Sequence, residues 1–204
     1  MRRTRMSIRV GLLLAVGLPT LTASAIGIRD ALDDRPNYAV AALPSIGTPL
    51  PQFRLPTLQG DTVSLNRFRG QHVVFALWSM HCSVSRAALA GIEQLHRDYA
   101  QRGVTVVLLA DDGDTTALRR TMNSAGVTLP VAYADGHLRR MFDRSRSAPE
   151  RDTHRIKFGL PSFLIVDATG RVHYRETGVP MTEFQSGNVS LRTLRAALDS
   201  LLSR

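Results

Sequence analysis

Two seven-residue apolar runs, HVVFALW (72–78) and VTVVLLA (104–110), constrain this chain more than anything else in it. Neither alternates apolar with polar residues, so each must be covered on both faces, as a central strand is. Between them Ala88, Leu89, Ile92, Leu95 and Tyr99 fall on one helical face, and Gly103 ends the pattern. Strand, amphipathic helix and strand together argue a largely parallel α/β sheet covered on both faces.

The flanking segments extend that unit. PQFRLPTLQGDTVSL alternates around Gly60-Asp61 and reads as a hairpin ahead of the first run. DDGD (111–114) offers N-cap acceptors for a helix over roughly 115–125. TLPVAYA (128–134) reads as a strand and HLRRMF as a short helix. The polar, non-periodic run DRSRSAPERDTHR (143–155) reads as a loop. SFLIVD and RVHYRETG pair as a hairpin about Asp167-Ala168-Thr169-Gly170, and LRTLRAALDSLL closes the chain as an amphipathic helix. A chain of 204 residues suffices for one such domain, from residue 46 to 204, plus an N-terminal extension.

That extension begins MRRTRMSIRVGLLLAVGLPTLTASA, with a basic start, an apolar run from Val10 to Leu18, and small residues at Ala23 and Ala25. This three-part pattern predicts a signal peptide over 1–25, cleaved after Ala25. The other reading is an uncleaved membrane anchor, although Pro19 and polar residues weaken the span. Arg2-Arg3 followed by Thr4 and Arg5 does not make a twin-arginine signal. Residues 26–45 are polar and punctuated by proline, as a linker is. Either reading predicts a periplasmic or otherwise extracytoplasmic domain, touching the membrane only if the segment stays uncleaved. The net charge of +9 includes four arginines of this leader, and the remaining charge is scattered. Nothing in that distribution supports nucleic-acid binding.

The chain has one cysteine, Cys82, so it forms no internal disulfide. Strand, loop and helix place Cys82 at or just before a helix N-terminus, where unpaired N–H groups and the helix dipole favour negative charge. A thiol so placed has thiolate available for nucleophilic attack. Arg86 adds positive charge, as does His81 when protonated. Ser85 can donate its hydroxyl hydrogen to the thiolate, but a serine cannot resolve a mixed disulfide. The bland alternative is a buried structural cysteine. Mostly polar neighbours (Ser79, His81, Ser83 and Ser85) argue instead for partial exposure, since a buried loop would leave polar groups unpaired. A second feature is Pro161, directly ahead of a buried strand and so confined to a turn at its mouth. Its peptide bond to Leu160 fits either isomer.

From Gly47 onwards these pieces resemble the extracytoplasmic thioredoxin-like proteins of the TlpA or redoxin type. The resemblance rests on GTPLPQF, LQGDTVSLNRFRGQHVVFALW, Trp78 four residues before Cys82, Arg86, GLPSFLIVDATGRV and Gly178. It implies a thioredoxin-like α/β fold: a central mixed sheet flanked by helices, with an added N-terminal β-hairpin. It also implies thiol–disulfide oxidoreductase chemistry at Cys82, and puts Pro161 in the position of the family's cis-proline, beside that thiol. The backbone of Leu160 would then pair with an extended substrate segment. Trp78 and Phe158 would rim an apolar groove for it. The departures sit at the site: Ser85 replaces the second cysteine of a CxxC pair, His81 an aromatic, and Ala76 a buried Asp or Asn. The 143–155 loop is an insertion relative to the family.

The leading expectation is therefore monothiol exchange through Cys82, with a thiol- or disulfide-containing protein or small thiol as partner and as source of the resolving thiol. One alternative is peroxide reduction through a sulfenic acid, since Ser79 stands where peroxiredoxins carry Thr or Ser, although Phe75 replaces their proline. The other is a thioredoxin-fold binding or assembly module without catalysis. Met80-His81-Cys82 is a poor metal site because adjacent side chains seldom converge on one ion. His72, His96, His137, His154 and His173 have no converging partners, and the sequence carries no phosphate loop or hydrolase elbow. No cofactor is implied.

Overall fold

Strands β3 (His72–Trp78) and β4 (Val104–Ala110) coincide with the two apolar runs and lie parallel, with Trp78 opposite Ala110. The computed structural model describes residues 43–134, 138 and 159–203. The signal segment, most of the linker, Phe158, His137, His154, the 143–155 loop and most of HLRRMF lie outside the described residues.

Ahead of β3, β1 (Arg54–Pro56) and β2 (Thr62–Ser64) form a separate antiparallel hairpin, followed by a 3₁₀ turn at Leu65–Phe68. After β3 come α1 (Ser83–Ala100), β4, α2 (Thr115–Ser124) and β5 (Val131–Tyr133). Then follow β6 (Ser162–Val166), β7 (Val172–Thr177), α3 (Met181–Ser186) and α4 (Arg192–Leu202). The main sheet has the order β5-β4-β3-β6-β7. Its β5, β4 and β3 are parallel, while β6 and β7 run antiparallel to their neighbours, so the sheet is mixed.

Alternation along β3 divides the core. Val74, Ala76 and Trp78 join the face that packs on α1, α2 and α4 through residues such as Ile92, Leu118 and Leu194. Val73, Phe75 and Leu77 face the other way, onto Leu50, Phe53, Leu55, Leu65 and Phe68 of the N-terminal segment. Phe75 meets Phe53 and Phe68 edge-on at 5.3 and 5.7 Å between ring centroids. The hairpin is thus the cover of one sheet face.

Two buried glutamates tie elements together. Glu93 of α1 accepts from the Thr128 N–H (2.9 Å), the Thr128 hydroxyl (2.6 Å) and the Leu129 N–H (3.3 Å). Burial works to raise its carboxyl, but these hydrogen bonds outweigh burial and hold it below the ordinary glutamate range. Glu183 of α3 accepts from the Ser190 and Leu191 N–H groups and from Arg192, with the same balance and the same direction. The six-residue helix α3 shows no apolar periodicity, and sequence reading gave no helix there. Val131–Tyr133 is shorter than the expected strand because only these three residues pair with β4.

Candidate functional site

At the C-terminal edge of the sheet β3 ends at Trp78, and the chain turns through Ser79, Met80 and His81 into α1. Cys82 is the N-cap of that helix, with extended backbone at φ −97° and ψ 121°. The Ser85 N–H points at its Sγ from 3.5 Å, as an N-cap donor should. The thiol in turn donates to the Leu160 carbonyl oxygen, 3.1 Å away. Cys82 is half-buried.

The partner segment is the turn before β6. The Leu160–Pro161 peptide bond is cis, and Pro161 is buried. Its carbonyl accepts the Gly178 N–H at 2.7 Å. Gly178 has φ +78°, a left-handed conformation that a side chain disfavours, so this junction calls for glycine. Leu160 is half-buried against the hairpin-side core. Cys82 and the Leu160–Pro161 turn, which the resemblance placed side by side, meet through the contact of Sγ with the Leu160 carbonyl.

Other expected site residues take different positions. Trp78 does not rim a groove: it is 0% exposed. It shares the helix-facing side of β3 with Val74 and Ala76, and its indole N–H donates to the Ser85 carbonyl at 2.6 Å. Strand alternation dictates this inward placement, and the tryptophan supports α1 from beneath. Ser85 is also 0% exposed, and its hydroxyl has no hydrogen-bond partner among the described residues. Its backbone N–H, rather than its hydroxyl, meets the sulfur. Arg86 is exposed and donates to the Met80 carbonyl at 2.8 Å, so it braces the turn. The His81 side chain is 79% exposed, with Nε2 3.7 Å from Asp112 Oδ1. Ala76 is buried in the core, leaving no carboxyl at that position.

Asp112 was read only as one of several cap acceptors. Asp114 is the actual cap of α2, accepting from the Ala117 N–H at 2.9 Å. Asp112 is buried and accepts the Ser79 hydroxyl at Oδ1 and the Met80 N–H at Oδ2, each at 3.0 Å. The pairing of Trp78 with Ala110 is the signal that could have found it, because it brings residues just past both strand ends together. This contact also bears on peroxide chemistry: the Ser79 hydroxyl hydrogen is committed to Asp112 and not to the thiol. Among the described residues no group of three or more His, Cys, Asp or Glu side chains is arranged to hold a metal ion. No described helix is long and apolar enough to cross a membrane.

Comparison with known proteins adds a lineage to this geometry. The model of a family described as AhpC/TSA matches residues 46–175. The thiol-disulfide oxidoreductase ResA of Bacillus anthracis is 26% identical over 91 residues, 45% of this chain and 53% of that protein. ResA of Oceanobacillus iheyensis is 24% identical over 136 residues, 65% of this chain and 66% of that protein. The chain spans about half the length of most of the curated relatives it matches. A thioredoxin-family thiol:disulfide interchange protein from Chlorobium tepidum superposes with a TM-score of 0.54 at 23% identity, covering 71% of this chain and 95% of that one. A secreted thiol-disulfide isomerase from Corynebacterium glutamicum gives 0.54 at 17% identity, covering 76% and 86%. At such identities these structures establish the fold, which is thioredoxin-like with a small hairpin sheet added near the N-terminus.

Proposed function

The chain belongs to the AhpC/TSA family, and from that membership we propose that it is a thiol–disulfide exchange protein working through Cys82 alone. The observation that carries this reading is the setting of the sulfur: N-cap of α1, half-buried, between the Ser85 N–H and the Leu160 carbonyl. Such a site presents a nucleophile beside a strip of backbone that can pair with an extended peptide.

The step balances without a cofactor. Cys82 thiolate attacks one sulfur of a partner disulfide, an S–S bond forms to Cys82, and the partner's other sulfur leaves as thiolate. A second thiolate, from the partner or a small thiol, then attacks the mixed disulfide and Cys82 departs. Ser85 cannot perform that second attack, so the resolving thiol is external. The N-terminal segment 1–25 acts as an export signal, or as an anchor if uncleaved, and puts this chemistry outside the cytoplasm. The C. glutamicum relative, described as secreted, agrees with that location.

The test is incubation of the purified protein and of Cys82→Ala with oxidised glutathione, followed by intact mass measurement. The reading expects one glutathione on the wild type, removed by added thiol, and none on the variant. A wild type that stays unmodified while a cysteine peptide reacts would sink it.

A further inference from the structure

Resting on the exchange reading above, we propose that Asp112 is the positioning residue of the Cys82 thiol. Strands β3 and β4 end side by side, and the Asp111 N–H donates to the Trp78 carbonyl at 2.9 Å. One residue further on, the Asp112 carboxylate turns inward, and the residue is 3% exposed. Its Oδ1 takes the Ser79 hydroxyl, its Oδ2 takes the Met80 N–H, and the same Ser79 oxygen accepts the His81 N–H at 3.2 Å. One carboxylate thereby fixes, directly or through Ser79, the three residues that immediately precede Cys82.

The thiol depends on that turn. Among the described residues its side chain makes two sulfur hydrogen bonds, to the Leu160 carbonyl and from the Ser85 N–H. Two sulfur contacts restrain a side chain weakly, so the location of Sγ is inherited from the backbone that leads to it. That backbone is closed by the Cys82 N–H on the Ser79 carbonyl at 3.3 Å and by Arg86 on the Met80 carbonyl. Removing Asp112 releases the Ser79 hydroxyl and the Met80 N–H together.

Among the described residues the Asp112 carboxylate has no hydrogen-bond partner outside this turn. Glu93 and Glu183 bind segments remote from the thiol, and Asp114 caps α2. The Asp112 hydrogen bonds serve this turn, and the His81 Nε2 lies 3.7 Å from its Oδ1. A buried carboxylate persists where its hydrogen bonds repay desolvation, and here both oxygens hold the approach to the nucleophile.

The experiment compares the rate of Cys82 with an aromatic disulfide dye at neutral pH in wild type, Asp112→Ala, Asp112→Asn and Glu183→Gln, with a melting temperature for each. Asp112→Ala is expected to lose roughly tenfold in rate, the order expected for a displaced reacting group. Asp112→Asn keeps one acceptor and recovers part of that loss. Glu183→Gln lowers the melting temperature and leaves the rate unchanged. If Asp112→Ala does not fold, Ser79→Ala removes half of the same clamp and is expected to lose roughly threefold. Wild-type rates in the Asp112 and Ser79 variants, or rates that fall with melting temperature in Glu183→Gln as well, would overturn the proposal. A wild type no faster than an unstructured cysteine peptide would instead contradict the exchange reading, while the ratio of variant to wild type still judges Asp112.

Discussion

The Cys82 thiol lies 3.1 Å from the carbonyl oxygen of Leu160, a contact that closes 78 residues of chain. It joins the N-terminus of α1 to the turn before β6, so the proposed nucleophile and the proposed peptide-pairing backbone are adjacent. The acceptor serves the protonated thiol. On the proposed exchange reading, ionising the sulfur frees the Leu160 carbonyl to accept an N–H from an incoming segment, while the Ser85 N–H remains on the sulfur.

Beneath that contact the Ser85 hydroxyl is buried without a partner among the described residues. A buried polar group left unpaired costs about 1–3 kcal/mol. Ser85→Ala is therefore expected to be neutral or to stabilise the protein by about 1 kcal/mol, read by chemical denaturation. Ser85→Cys places a thiol three residues after Cys82 in the first turn of α1. Thiol titration after oxidation is expected to show both cysteines lost in an internal disulfide, with mixed disulfides on Cys82 becoming short-lived.

Gly91 is a packing glycine. A Cβ there would sit 2.0 Å from the Val189 carbonyl oxygen, a backbone atom that cannot swing aside. Alanine gains about 1 kcal/mol of helix propensity over glycine. Overpacking costs about 1–3 kcal/mol and sometimes more, and backbone contact puts this position at the upper end. Gly91→Ala is expected to be destabilising by about 2 kcal/mol in the same denaturation assay. A midpoint at or above wild type would show that the 187–191 segment yields.

Glu93 and Glu183 are both held below the ordinary glutamate range: burial works to raise each carboxyl, but hydrogen bonds outweigh it. A depressed carboxyl contributes stability that is present above its unfolded value and is lost as pH falls through its folded value. Stability is therefore expected to decline on the acid side, beginning near the ordinary glutamate range. Glu183→Gln should lower stability at neutral pH and flatten that decline, measured as denaturation midpoints across the acid range. A Glu183→Gln curve parallel to wild type would contradict this assignment.

The central strands could be read because β3 and β4 have no polar residue to relieve their burial, apart from His72 and Thr105. Cys82 and Pro161 were legible for local reasons: a lone thiol between strand and helix, and a proline that a strand interior excludes. That they meet depends on the antiparallel pairing of β3 with β6, which no local pattern encodes. Trp78 was misplaced by its proximity to the cysteine, although alternation with Val74 and Ala76 already directs it inward. Asp112 was missed because its partners lie 32 and 33 residues away, and only the β3–β4 register brings them together. Helix α3 escaped because its ordering comes from Glu183 contacting Ser190, Leu191 and Arg192 rather than from an apolar stripe.

The most direct test of the account is the state of Cys82 in cells, fixed by acid quenching and thiol alkylation and read by mass spectrometry without reduction. Monothiol exchange predicts a fraction of Cys82 disulfide-linked to a protein or small thiol, increased when the external resolving thiol is depleted and absent from Cys82→Ala. A Cys82 that is uniformly free and alkylates slowly under both conditions would contradict it, and would favour a thioredoxin fold retained for binding.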